Sequence, residues 1–278
     1  MLTNHSLLHE QNQHGLLLTS VAAAEDGRLY ASAVNEGIFR IDNTAAWSRL
    51  PHELPSGVTV NRLEAEDGQI FACTEQGLFQ LREDGWRTTK ITVPCYRLRS
   101  KGGVLYVATG NGLWYRFNDN WVRTSYSEEA VFDLFMTPQM IFMARSTGIF
   151  LFDRYTQSSE EFKLGSSVSS LCVLHGYLLG ADGLGNLVAG DKRGRFNTHH
   201  YKGIRIFSLE SCEGRIYACT SRGLYQVLYW KDRFHLCSAV TGFPVTDVAF
   251  DKDNLYLSTY FEGLRILPRR RSHVSGEA

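Results

Sequence analysis

Apolar and polar residues alternate along this chain with a period of two, in short runs that glycine turns join in pairs. In residues 104–117, VLYVATGNGLWYRF, one run enters a Gly-Asn-Gly turn and a second leaves it, which is the pattern of a β-hairpin. The same spelling returns around Gly37, Gly77, Gly112, Gly148, Gly185, Gly223 and Gly263, separated by 40, 35, 36, 37, 38 and 40 residues. A further run precedes each hairpin, as in VNRLEAED, CYRLRSK, VFDLFMT, VSSLCVL and VTDVAFD, and another follows it, as in WSRLP, GWRTTKIT, WVRTSY and FHLCS. Seven units of four short strands predict an all-β fold, a seven-bladed β-propeller of four-stranded blades.

The blades fall near residues 16–52, 57–93, 95–127, 131–164, 168–201, 204–238 and 245–270, within a single domain spanning 1–278. The seventh unit ends at GLRILPRRR without a fourth strand, while LTNHSLLHEQN precedes the first unit and has no repeat of its own. The ring is therefore expected to be closed by the N-terminal strand, with residues 2–12 forming the outer strand of the last blade and covering its edge.

The hairpins LYVATGNGLWYRF, FACTEQGLFQL and YACTSRGLYQV share an aromatic strand, a small residue, a threonine and a Gly-Leu-aromatic turn. In this they resemble the repeat of the two-component-regulator type of propeller, over most of the chain. The resemblance implies a ring that presents a binding face. In that family such rings form extracytoplasmic sensor regions joined to a membrane segment and a kinase.

Packing explains the positions the repeats share, so the positions where they disagree carry the functional information. The threonine column reads Ala33, Thr74, Thr109, Arg145, Asp182, Thr220, Thr259, and the start of the first strand reads Val21, Arg62, Arg97, Asp133, Ser170, Ser208, Asp247. Both lie at the face where the first strands begin. They predict a polar ring at the channel mouth made of Arg62, Arg97, Asp133, Arg145, Asp182 and Asp247. On one reading these charges pair with each other between blades. On the other, Arg62 and Arg97 hold an anionic group while Asp133 takes an amine or hydroxyl, with Tyr96, Phe132 and Tyr260 as stacking surface beside Phe207 and Phe261.

Composition narrows the classes. The 278 residues are 44% hydrophobic and 21% charged, the balance of a globular protein, and 29 Lys and Arg offset 29 Asp and Glu. With no basic field, nucleic acid is not an expected partner. The N-terminal residues lack a basic, then apolar, signal pattern, and no window approaches the ~20 apolar residues of a membrane span, so the expectation is a cytoplasmic chain with no membrane partner. Six cysteines form no C-x-x-C pair and read as small buried thiols. No G-x-S-x-G, Walker, H-E-x-x-H or EF-hand motif occurs, and none of the nine histidines falls in the mouth columns, so no cofactor, metal or catalytic residue is assigned. The expectation is a non-catalytic binding or scaffold propeller that recognises a protein, a peptide or a small anionic or zwitterionic ligand at the channel mouth. The alternative is a lyase or hydrolase acting there on a small polar or peptide-derived substrate.

Overall fold

Each hairpin read from the sequence is the middle of an antiparallel sheet in a computed structural model that describes residues 16–42, 46–50, 54–125, 128–191 and 193–269. Seven sheets, each with its strands side by side in chain order, stand around a central axis as the blades of a propeller. Blades one to six have four strands. The seventh has three among the described residues, Val245–Phe250, Asn254–Thr259 and Leu264–Pro268. The expected N-terminal closing strand lies outside the described residues.

The innermost strands are Leu18–Ala23, Val60–Glu66, Cys95–Lys101, Asp133–Met136, Val168–Leu174, Ile206–Cys212 and Val245–Phe250. There is no single core. Seven apolar clusters each fill the gap between two neighbouring blades, and one of them joins the last blade to the first through Tyr256 and Leu264 against Leu18, Val21 and Ala31. The aromatic column of the second strands supplies much of this filling: Tyr30, Phe71, Tyr106, Leu179, Tyr217 and Tyr256 are all buried. Burying such a side chain is worth about 1.5–3 kcal/mol, so each blade interface is a small core in its own right.

Polar groups stitch the same interfaces near the axis. A serine or aspartate at the start of one inner strand accepts the backbone N–H of the next blade: Ser20 from Leu63 (3.0 Å), Asp133 from Leu171 (2.8 Å), Ser170 from Leu209 (2.9 Å) and Asp247 from Val21 (3.2 Å). The last of these, with Ser20 Oγ donating to Asp247 at 2.6 Å and Thr246 Oγ1 donating to the Leu18 carbonyl at 2.9 Å, binds blade seven to blade one.

The repeated threonine is a turn clamp. Thr74, Thr109, Thr220 and Thr259 each donate to the carbonyl of the glycine beyond the turn, at 2.7–2.8 Å, and accept an N–H from the turn itself. Five of the cysteines are buried between blades and Cys237 is exposed; burial pushes the Cys95 and Cys172 thiols up to about 12.

Candidate functional site

A β-bulge at the start of the inner strand shapes the channel mouth. In six blades the pairing with the second strand skips one residue, namely Thr19, Asn61, Tyr96, Ser169, Phe207 and Thr246, and Phe132 precedes the first paired residue of blade four. Bulges of this kind re-aim side chains next to functional surfaces. After the bulge, Ser20, Arg62, Arg97, Asp133, Ser170, Ser208 and Asp247 stand opposite the small column Ser32, Cys73, Ala108, Ala144, Ala181, Cys219 and Ser258. Blade one thus contributes Ser20, not Val21, because the bulged Thr19 shifts its register by one.

The structure brings Arg62, Arg97, Asp133 and Asp247 together inside the channel. Ser20, Asp133, Ser170 and Asp247 at this position latch onto the next blade, while the buried Ser208 hydroxyl does not; arginine cannot accept an N–H, and the two guanidiniums reach across the axis instead. Arg62 meets Glu210 and Asp247, both at 2.5 Å, from the opposite side of the ring. Arg97 holds Glu210 by two parallel hydrogen bonds, 2.8 and 2.6 Å, and its Nε lies 3.1 Å from Glu64 and 3.7 Å from Asp133. Arg99 completes the cluster, 3.4 Å from Asp133 and 3.7 Å from Glu210. Arg97, Asp133, Glu210 and Asp247 are at most 4% exposed, so this layer spans the ring from blades two and three to blades six and seven.

Glu64, Arg99 and Glu210 were not among the sequence candidates. They sit two residues beyond the recognised column, on the same strand face, where other blades carry Ala, Phe or Cys. A charge two positions after a charge in VNRLEAED and CYRLRSK, and two positions after a serine in FSLESC, is the available signal.

Three guanidiniums face four carboxylates here, and burial decides how the excess negative charge is carried. Burial pushes the Glu64 carboxyl above the usual range even though Arg97 and Arg62 oppose it. For Glu210 burial is outweighed by Arg62, Arg97 and Arg99, which hold it at about 2. Glu66, below Glu64 on the same strand, is raised to about 7 by burial and by Glu64, against the pull of Arg99.

The stability consequences have opposite signs. Glu66 binds its proton more tightly folded than unfolded, so its contribution is full below about 4.5 and is lost as pH rises through about 7. Glu210 contributes above its ordinary value of 4.5, and that contribution is lost as pH falls toward about 2. The melting temperature is therefore expected to peak in mildly acidic buffer and to decline toward neutral pH, and Glu66→Gln should flatten the decline. A thermal-shift series across pH checks this; a Glu66→Gln slope equal to wild type would remove Glu66 as its source.

The remaining candidates lie elsewhere. Arg145 is buried, pairs with Glu129 and sits 4.9 Å from the Phe150 ring. Asp182 replaces the threonine as turn clamp, accepting the N–H groups of Leu184 (2.9 Å) and Asn186 (2.8 Å) and the Asn186 side-chain amide. Tyr96 and Phe132 meet edge to face at 5.1 Å. Tyr260 stands across the ring from this pair, 6.5 Å from Phe207 and 6.2 Å from Phe261.

Above the charged layer a cavity of about 360 Å³ opens at the mouth between blades five, six, seven and one. The bulged Thr19, Ser169, Phe207 and Thr246 line it, with Asp182, Arg205 and Tyr260. The chemistry is that of a recognition surface: hydroxyl groups, one aromatic wall and an exposed guanidinium.

No family model matches the chain. No curated protein matches it in sequence. Among solved structures, the chain is similar to the extracellular domain of a one-component system from B. thetaiotaomicron (TM-score 0.71, 15% identity, 90% of this chain and 38% of that one). It is similar to the extracellular domain of a hybrid two-component system from the same organism (0.71, 14%, 91% and 40%) and to virginiamycin B lyase from Staphylococcus aureus (0.69, 10%, 90% and 94%). The chain thus spans about two fifths of the two-component chains. At these identities the likeness is one of fold, and it bears out the resemblance of the hairpins to the two-component-regulator type of propeller. It also corrects the cytoplasmic expectation: the bacterial sensor propellers of this shape are extracellular domains. The expectation rests only on a pattern that the N-terminal residues lack, and no setting follows from such an absence.

Proposed function

We propose that this chain is a binding propeller whose partner, a protein or peptide, docks at the channel mouth over blades six and seven. The observation that carries this reading is the mouth cavity with its aromatic wall: Phe207 is 37%, Tyr260 38% and Phe261 63% exposed on one face. Aromatic side chains gathered beside a polar pocket are the usual anchors of an interface. Arg62, Arg97, Asp133 and Asp247 brace the ring at the axis, outside the cavity lining, and Tyr96 and Phe132 stand on the far rim of the mouth. A lyase or hydrolase would need a base in the cavity, and its one carboxylate, Asp182, is engaged by its own turn.

The test is native mass spectrometry of the protein purified gently from its source cells, with Phe207→Ser, Tyr260→Ser as one double variant. Phe117→Ser, Tyr155→Ser, exposed on the opposite face, is the control. A companion mass lost only in the mouth variant supports the reading; a companion retained by it moves the interface elsewhere.

A further inference from the structure

The face of blade six beside the mouth is chemically one-sided. Arg205 enters the cavity wall from the loop before the inner strand, and that loop is fixed at every step: Arg205 N–H donates to Ser221 Oγ (3.1 Å), Ser221 N–H to the Arg205 carbonyl (2.9 Å) and Ile206 N–H to the Gly185 carbonyl (2.9 Å). Its stem packs on Gly185, where a Cβ would come within 2.9 Å of the Arg205 Cβ. The guanidinium of Arg222, from the turn of the same blade, lies over Gly203, two residues before Arg205, with a Cβ there only 2.9 Å from its Nη2.

Both arginines are exposed, and among the described residues neither guanidinium meets a carboxylate. The nearby acids are spoken for: Asp182 clamps its own turn, and Glu262 pairs with Arg265 at 2.5 Å. Two guanidiniums that meet no carboxylate thus stand on blade six, Arg205 in the cavity wall with Phe207 and Tyr260 and Arg222 over Gly203 in the loop that leads to Arg205. The other exposed acids of the face include Glu36 and Glu75 on blades one and two and Glu128 and Glu129 in the link from blade three to blade four, away from blade six.

Resting on the reading of the mouth as a binding site, we infer that its partner presents an acidic peptide segment. An aromatic or large aliphatic side chain packs on Phe207 and Tyr260, and neighbouring Asp or Glu carboxylates take Arg205 and Arg222. Arginine suits this because its planar fork holds a carboxylate by two parallel bonds, and because a guanidinium is desolvated at less cost than an ammonium. Complementary charge at the rim would also speed encounter, in a way that salt suppresses.

A random dodecapeptide phage library panned on the full chain tests this, with Arg205→Glu, Arg222→Glu and Phe207→Ser, Tyr260→Ser as counter-targets. All four positions are at least partly exposed, and melting curves matching wild type would confirm intact folding. The expected winners carry Asp or Glu beside Trp, Phe or Leu. As synthetic peptides they should lose at least about tenfold in affinity with the charge-reversed variant, and more weakly with salt raised from about 50 to about 300 mM. Winners without carboxylates that depend on Phe207 and Tyr260 would overturn the acidic partner and leave the mouth as a binding site. Winners indifferent to both variants, or none, would overturn both.

Discussion

Glu210→Gln is expected to lower the melting temperature by about 10 °C. The carboxylate is the hub of the axial layer, taking two bonds from Arg97, one from Arg62 and the more distant charge of Arg99. Removing one partner from a buried ionic cluster costs about 3–5 kcal/mol, because the charges left behind are neither solvated nor paired. At roughly 2–4 °C per kcal/mol for a chain of this size, that is a shift no surface substitution would give. The same physics separates two meanings of the cluster. If the layer only holds the ring, replacing its paired members together, Arg62 and Arg97 by Met with Glu64 and Glu210 by Leu and Asp247 by Asn, should restore most of the lost stability, since apolar or neutral groups of similar volume replace buried ion pairs at little cost while Arg99 and Asp133 keep each other. Differential scanning calorimetry of the single and fivefold variants decides it: a fivefold variant no better than the single would mean that ions, not filled volume, keep opposite sides of the ring together.

What could be read in the sequence divides along the line between repeated and unrepeated positions. The hairpins, the blade number, the buried aromatic column and the small column follow from packing demands that every blade meets in the same way. Packing constrains residue type, so it is written in the repeat. The site is another matter. The inward column was found at six of its seven places, and Val21 was put for Ser20 because a bulge adds a residue that the spacing of apolar positions does not reveal. Arg145 and Asp182, odd against four threonines, read in the sequence as members of the polar ring at the mouth. In three dimensions the one pairs with Glu129 and the other performs the threonine's own task of clamping a turn. Contacts across the axis join residues 113 to 185 positions apart, as Arg97 to Glu210 and Arg62 to Asp247, and no local pattern encodes them.

Gly223→Ala is expected to cost about 3 kcal/mol or more, and the reason explains the repeated glycine of blades two, four and six. Gly223 has φ +149°, and a Cβ there would stand 2.0 Å from the carbonyl oxygen of Val240 and 2.8 Å from the Cα of Thr241 in the outer strand. The obstacle is backbone, so no rotamer change relieves it; the outer strand must move, giving up its pairing between Gly223 and Thr241. The equivalent Gly77 and Gly148 face the carbonyls of Ile91 and Phe162 at 2.2 and 2.1 Å, so the glycine marks where the third strand passes closest to the fourth. Gly102→Ala is the control: φ is +59° and nothing lies within 4 Å of the added carbon, leaving only the backbone-angle penalty of about 1–2 kcal/mol. Urea denaturation of the two variants separates the contributions. A loss at Gly223 well above that at Gly102 assigns the excess to the carbonyl contact; equal losses would mean that the turn angle alone holds glycine in the repeat, and that the outer strands are free to shift.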